Sequence, residues 1–256
     1  MRVYQCEDSL EGIFTAIFTA YEEKQNPRDT RISLSEELFL FAEHVSVTPH
    51  REKTFKVMNT LKKQFGKEDY LMLCLALSSS HEKKAQAVYQ TVAAGLKARC
   101  ARGHLFDNLA DDWVNLAFCL ARGANNENQH LRGFLRFQEL ENGVLFARIG
   151  PKNNLLTFLM LHFADRMPLE NFMIYDEARG LFGIHPAKKQ WYLVREDVEI
   201  LGFNGTEDWG LSKKEREYQE LFRTFCHKIA VEGRENRKLQ QNMLPLRFQE
   251  YMVEFQ

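Results

Sequence analysis

The chain has 256 residues, 45% of them hydrophobic and 12% aromatic, enough to bury a core and too apolar for a disordered polymer. A formal net charge of −1 excludes a global polycation, so any site for an anion must be local. No apolar run approaches the roughly 18 residues needed to span a bilayer, and Glu7 and Asp8 interrupt the opening before a signal-like stretch can form. A cytoplasmic protein without membrane association is expected. Cys6, Cys74, Cys100, Cys119 and Cys226 are odd in number and show no C-x-x-C spacing, so neither a disulfide framework nor an iron–sulfur or zinc site is indicated. Reduced, mostly buried thiols are expected instead, with no metal and no cofactor.

In chain order, "RVYQC" reads as a short strand, and Leu10, Ile13, Phe14, Ile17 and Phe18 then recur at helical spacing. Four helix starts are marked by a cap residue with Glu three positions later: Asp8/Glu11, Ser33/Glu36, Ser79/Glu82 and Ser212/Glu215. From Pro49 to about residue 130 the spacing predicts helix after helix, in "REKTFKVMNTLKKQF", "EDYLMLCLALSSS", "EKKAQAVYQTVAAGLKA" and "LADDWVNLAFCLARG". The pattern then turns to short β-rich runs, "FLRFQEL", "GVLFARI", "NFMIYD", "GLFGIH" and "QWYLV". Between the second and third of these, "NNLLTFLMLHFADRM" reads as one amphipathic helix. The expected class is α+β: an antiparallel sheet of hairpins in a ββ-α-ββ(β) order packed with helices. The expected organisation is a single domain over 1–256, helix-rich over about 8–130 and sheet-rich over about 131–206. A C-terminal helix and basic tail occupy about 207–256.

Asn142-Gly143 suits a two-residue type I′ turn. That register sets Arg136 against Ile149 and Phe137 against Arg148, so Arg136 and Arg148 point to opposite faces of the hairpin. Either they pass a sheet edge to reach surface carboxylates, or, with Arg132, they present a guanidinium fork to phosphate or carboxylate. On the following helix His162 and Arg166 fall on the face of Leu155 and Leu159, where a guanidinium needs a partner; Asp176 and Glu177 are the candidates. The structural reading is an ion pair that locks helix to hairpin. In the active reading His162, Arg166 and Arg179 line a pocket for an anion.

Residues 223–247 hold six Lys or Arg against two acids, and "RENRKLQQNMLPLRF" sets Arg234, Arg237, Lys238 and Arg247 beside Phe248. Cations beside an aromatic suit single-stranded nucleic acid, while a solvated helix stopping at Pro245 explains the same letters. Catalytic templates are missing: there is no G-x-S-x-G, H-E-x-x-H, Walker or G-x-G-x-x-G pattern, and the histidines lack metal-ligand spacing. The E-x-K triplets at Glu22–Lys24 and Glu82–Lys84 lie on expected helices without a strand carboxylate nearby.

Three stretches together, "LRGFLRFQELENGVLFARIGPKNNLLTFLMLHFADRM", "NFMIYDEARG" and "NRKLQQNMLPLRF", resemble the domain of unknown function 4130 family, and "YQCEDSLEGIFTAIFTAYEE" resembles its opening. The resemblance implies a role in DNA metabolism or repair, beside a radical-SAM protein encoded nearby and in a family linked to uracil-DNA glycosylase-like domains. It marks Arg132, Phe134, Arg136, Phe137, Pro151, His162, Phe163, Arg166, Asp176, Arg179, Pro245 and Arg247. The tail departs from the family pattern at Leu244, Leu246, Phe248 and Gln249. Three functions are therefore expected in competition. The first is a DNA-binding accessory to the radical-SAM partner, contacting phosphates through Arg132, Arg136, Arg148, His162, Arg166, Arg179, Arg237, Lys238 and Arg247. The second is an enzyme on nucleic acid or nucleotide with His162 as general acid or base. The third is a scaffold for that partner, presenting an apolar patch from the helices between residues 67 and 120.

Overall fold

Strand β1 (Arg2–Cys6) is followed by helix α1 (Leu10–Glu22), which buries Ile13, Phe14, Ala16, Ile17 and Ala20 along one stripe. The structure is a computed structural model that describes residues 1–35, 37–195, 210–229, 233 and 236–255. It divides into two compact units, 1–126 and 127–256.

In the first unit β2 (Thr30–Ser33) and β3 (Glu43–Val47) both pair parallel with β1, in the order β2-β1-β3. Neither flanking strand is announced by the sequence, because "TRIS" and "EHVSV" are short and half polar. Ser33, expected to open a helix, instead ends β2, and its partner Glu36 lies outside the described residues. The cap of α1 is Ser9 rather than Asp8: the Gly12 N–H donates to Ser9 Oγ at 3.0 Å, while Asp8 takes Lys84 at 2.7 Å. The helices follow as expected: α2 (Arg51–Phe65), α3 (Lys67–Ser78), α4 (Lys84–Ala98) and the start of α5 (Asp112–Phe134). Gly66, at φ 95°, makes the break between α2 and α3, a conformation that a side chain rarely adopts. Ser79 does not cap α4; its hydroxyl accepts from the His81 N–H, and the buried Lys84 amine donates to the Ser79 carbonyl at 2.8 Å.

The second unit holds a five-stranded sheet in the order β4-β5-β6-β7-β8: β4 (Gln138–Glu139), β5 (Leu145–Ile149), β6 (Phe172–Asp176), β7 (Leu181–His185) and β8 (Tyr192–Arg195). Helix α6 (Leu156–Arg166) joins β5 to β6. The α+β class holds, with one change: β5 and β6 run parallel, and the other pairs of this sheet are antiparallel. A helical crossover carries the chain back along the sheet, so the next strand starts at the same end as the last.

The run "FLRFQEL" is mostly not a strand. Phe134 ends α5, the Leu135 N–H donates to the Leu131 carbonyl at 2.9 Å, and of the rest only Gln138 and Glu139 pair as β4. The hairpin register also differs by one residue. Gln138 faces Phe146 and Glu139 faces Leu145, around a three-residue loop with Gly143 at φ 77°. A type I turn closed by a left-handed glycine accounts for it. The expected Arg136–Ile149 and Phe137–Arg148 pairs therefore do not form.

Helix α6 packs Leu156, Leu159, Met160 and Phe163 onto the sheet. Gly183 makes room, since a Cβ there would strike Met160 Sδ. The opposite face is covered through Leu140, Phe146, Met173, Tyr175 and Phe182. Helices α7 (Lys213–Ile229), α8 (Arg237–Met243) and α9 (Leu246–Gln249) follow, and Ser212 caps α7 as expected, accepting from the Glu215 N–H at 3.0 Å. All five cysteines are free; Cys119 is exposed and the others half-buried, so they are less enclosed than expected. Among the described residues no helix is long and apolar enough to cross a membrane.

Candidate anion-binding site

Asp176 ends β6 with no exposed surface, in reach of the turn that carries Arg179. Arg179 Nη1 donates to Asp176 Oδ2 and to the Pro151 carbonyl, both at 3.1 Å, and Nη2 donates to the Lys152 carbonyl at 2.8 Å. Burial pushes the Asp176 carboxyl up from its ordinary range, and the Arg179 guanidinium opposes that rise. The same loop is held from another side by Glu127, which is 3% exposed. Its carboxylate accepts from the N–H groups of Lys152 and Asn153 at 3.0 Å and from Asn153 Nδ2 at 2.7 Å, and it pairs with Arg247 at 3.3 Å.

The C-terminal segment supplies further partners. Phe248 is buried against His130 and Phe134, with the Arg247 guanidinium over its ring at 4.8 Å. The Tyr251 hydroxyl donates to Glu177, and burial followed by that hydrogen bond raises the pKa of the phenol. Gly150 permits this approach, because a Cβ there would meet both Tyr251 and Glu177. Arg148 lies 3.4 Å from Glu177 and 5.7 Å from the Tyr251 ring centroid. Arg136 pairs with Glu254 at 2.8 Å and donates to the Gly133 carbonyl at 3.2 Å, closing the end of α5. Four of the expected contact residues, Arg136, Arg148, Arg179 and Arg247, are thus engaged by carboxylates of the same unit.

Arg132, His162 and Arg166 differ. Arg132 lies in the last turn of α5, Arg166 in the last turn of α6, and His162 one turn before it. His162 is half-buried and Arg166 exposed, so Arg166 is not in the apolar stripe; that stripe runs through Leu155, Leu156, Leu159, Met160 and Phe163. Its expected partners are taken, Asp176 by Arg179 and Glu177 by Arg148. Burial pushes the His162 imidazole below its ordinary pKa, Arg132 and Arg166 push it further, and Asp165 opposes them. Among the described residues neither Arg132 nor Arg166 forms a salt bridge, and Arg132 Nε is buried without a hydrogen-bond partner. The negative ends of the two helix dipoles favour cations at these turns, which is why such charge is tolerated without carboxylates. Arg179 does not join this group. It binds the loop ahead of α6, whereas Arg166 lies at the far end of that helix, about 16 Å along its axis at 1.5 Å per residue.

Arg237 and Lys238 are exposed in the first turn of α8 and carry no salt bridge among the described residues; Arg234 lies outside them. Among the described residues no group of three or more His, Cys, Asp or Glu is placed to hold a metal ion. The apolar patch expected between residues 67 and 120 is limited to Leu71 and Leu109, at 50% and 43% exposure; a larger one lies on α7. Reasoning from sequence missed Glu127, Tyr251 and Glu254. No spacing signal marks them, for Glu254 lies 118 residues from Arg136.

A family model described as a domain of unknown function (DUF4130) matches residues 82–254, and the opening strand and helix fall outside that span. Comparison with curated proteins found no match. With about two thirds of its length inside the match, the chain belongs to the domain of unknown function 4130 family.

Proposed function

We propose that this protein binds DNA in DNA metabolism or repair, as an accessory to a radical-SAM partner, and that Arg132, His162 and Arg166 take the phosphates. One observation carries the reading: the charges of two guanidinium groups act on one imidazole and neither group forms a salt bridge among the described residues, in a unit where the other arginines of the site are paired with carboxylates. Fixed positive charge of this kind attracts backbone phosphate with little preference for base sequence. Arg237 and Lys238, exposed on α8, offer further positive charge, while Arg136, Arg148, Arg179 and Arg247 serve the architecture. The test is a gel titration with single-stranded, duplex and uracil-containing DNA at two salt concentrations, with and without the partner. Binding that weakens steeply with salt supports the reading; no binding at low salt in either setting overturns it.

A second reading has its own support. The downward shift favours the neutral imidazole of His162, the form that a general base requires. Product formation that His162→Ala abolishes while binding persists would favour an enzyme acting on nucleic acid or nucleotide.

A further inference from the structure

Helix α7 holds polar residues toward the protein and apolar residues toward solvent. Its more enclosed positions are Glu215, Gln219, Arg223 and Cys226, which recur along one face. Tyr218, Leu221, Phe222, Phe225 and Ile229 are 58%, 63%, 42%, 54% and 58% exposed. Their spacing of three and four residues gathers them into a single stripe, the kind a surface helix ordinarily buries. Scattered apolar residues on a surface need no explanation, whereas a continuous stripe of five large ones indicates a docking surface.

We propose that the occupant is α7 of a second copy of this chain, packed antiparallel about a two-fold axis between Leu221 and Phe222. In that arrangement Tyr218 faces Phe225 of the second copy and Leu221 faces its Phe222, and the reciprocal contacts repeat across the axis, as an isologous interface requires. The charges select the direction. Glu217 and Lys228 are eleven positions apart, about three helical turns, and so lie on the same edge of the stripe. Antiparallel packing about that axis brings Glu217 of each copy within two residues, about 3 Å along the helix, of Lys228 of the other. Parallel packing would set this edge against the opposite edge of the other stripe, so that neither charge would meet the other. Both side chains are available: Lys228 forms no salt bridge among the described residues, and Glu217 has one 3.9 Å contact to the exposed Lys213. A pair that exposed and long contributes little.

Sedimentation of the full chain from about 1 to 100 µM tests this, a range that reads micromolar affinity. A monomer–dimer equilibrium is expected. Phe222→Glu should weaken it at least tenfold with unchanged far-UV circular dichroism. Glu217→Lys and Lys228→Glu should each weaken it, and the double exchange should restore it. A chain that stays monomeric throughout, including one whose stripe binds a different protein, overturns the proposal. So does a dimer indifferent to Phe222→Glu. A dimer that responds to Phe222→Glu and ignores both single charge reversals overturns the antiparallel arrangement.

Discussion

At the ends of β5 and β6, guanidinium groups meet carboxylates: Arg179 with Asp176, Arg148 with Glu177, and Arg247 with Glu127 beside them. At the last turns of α5 and α6, Arg132 and Arg166 form no salt bridge among the described residues, and both add to the effect of burial in lowering the pKa of His162 against the opposing charge of Asp165. The first region uses charge to fix a loop and the C-terminal segment, and at Arg179 and Glu127 several hydrogen bonds offset desolvation. The second leaves charge uncompensated, which stabilises nothing internally beyond the helix ends and is useful for meeting an anion. An arginine in an apolar context can have either fate. The carboxylate across the fold decides which.

The sharpest contrast should come from Glu127→Ala. It removes one buried acceptor from two backbone N–H groups, the Asn153 amide and Arg247, and should cost roughly 3–5 kcal/mol in urea unfolding. Arg132→Ala with Arg166→Ala should do the reverse, leaving unfolding near wild type and lowering oligonucleotide affinity roughly tenfold per arginine, as expected for a lost charged hydrogen bond.

A smaller effect follows from His162. Its folded pKa is depressed, so the unfolded chain takes the proton first as pH falls. The associated stability is present above the ordinary value of 6.5 and is lost as pH drops through the folded pKa. His162→Gln should flatten this acid-side decline in thermal unfolding. A bound anion should raise the same pKa, so DNA affinity should increase as pH falls toward about 6, the ordinary imidazole range, and the variant should lose that trend. Least affected is Arg148→Ala, with roughly 0–1 kcal/mol in stability for an exposed pair and unchanged DNA affinity.

Elements that bury a long periodic stripe were legible in the sequence: α2 begins and ends with the stretch "REKTFKVMNTLKKQF", and α6, β6 and β7 fall where their patterns place them. The misses follow from competition between local signals. Asn142-Gly143 favours a two-residue turn, yet the three-residue loop puts only Gly143 at positive φ and shifts the register by one. The run from Phe134 to Leu140 read as strand, whereas α5 ends at Phe134 and β4 keeps only Gln138 and Glu139. The unusual composition around Arg132, His162 and Arg166 was visible. Which arginines stay unpaired was not, because that depends on Glu127, Glu177 and Glu254 arriving from elsewhere in the chain.

The most direct measurement is a fluorescence anisotropy titration of a single-stranded oligonucleotide, with wild type and Arg132→Ala/Arg166→Ala, across about 50–200 mM salt. Two phosphate contacts confined to these arginines should make the slope of log affinity against log salt shallower by about 1.4 in the double variant, at about 0.7 per contact on a single strand. Equal slopes, or a wild type that does not bind at the lowest salt, would contradict the account.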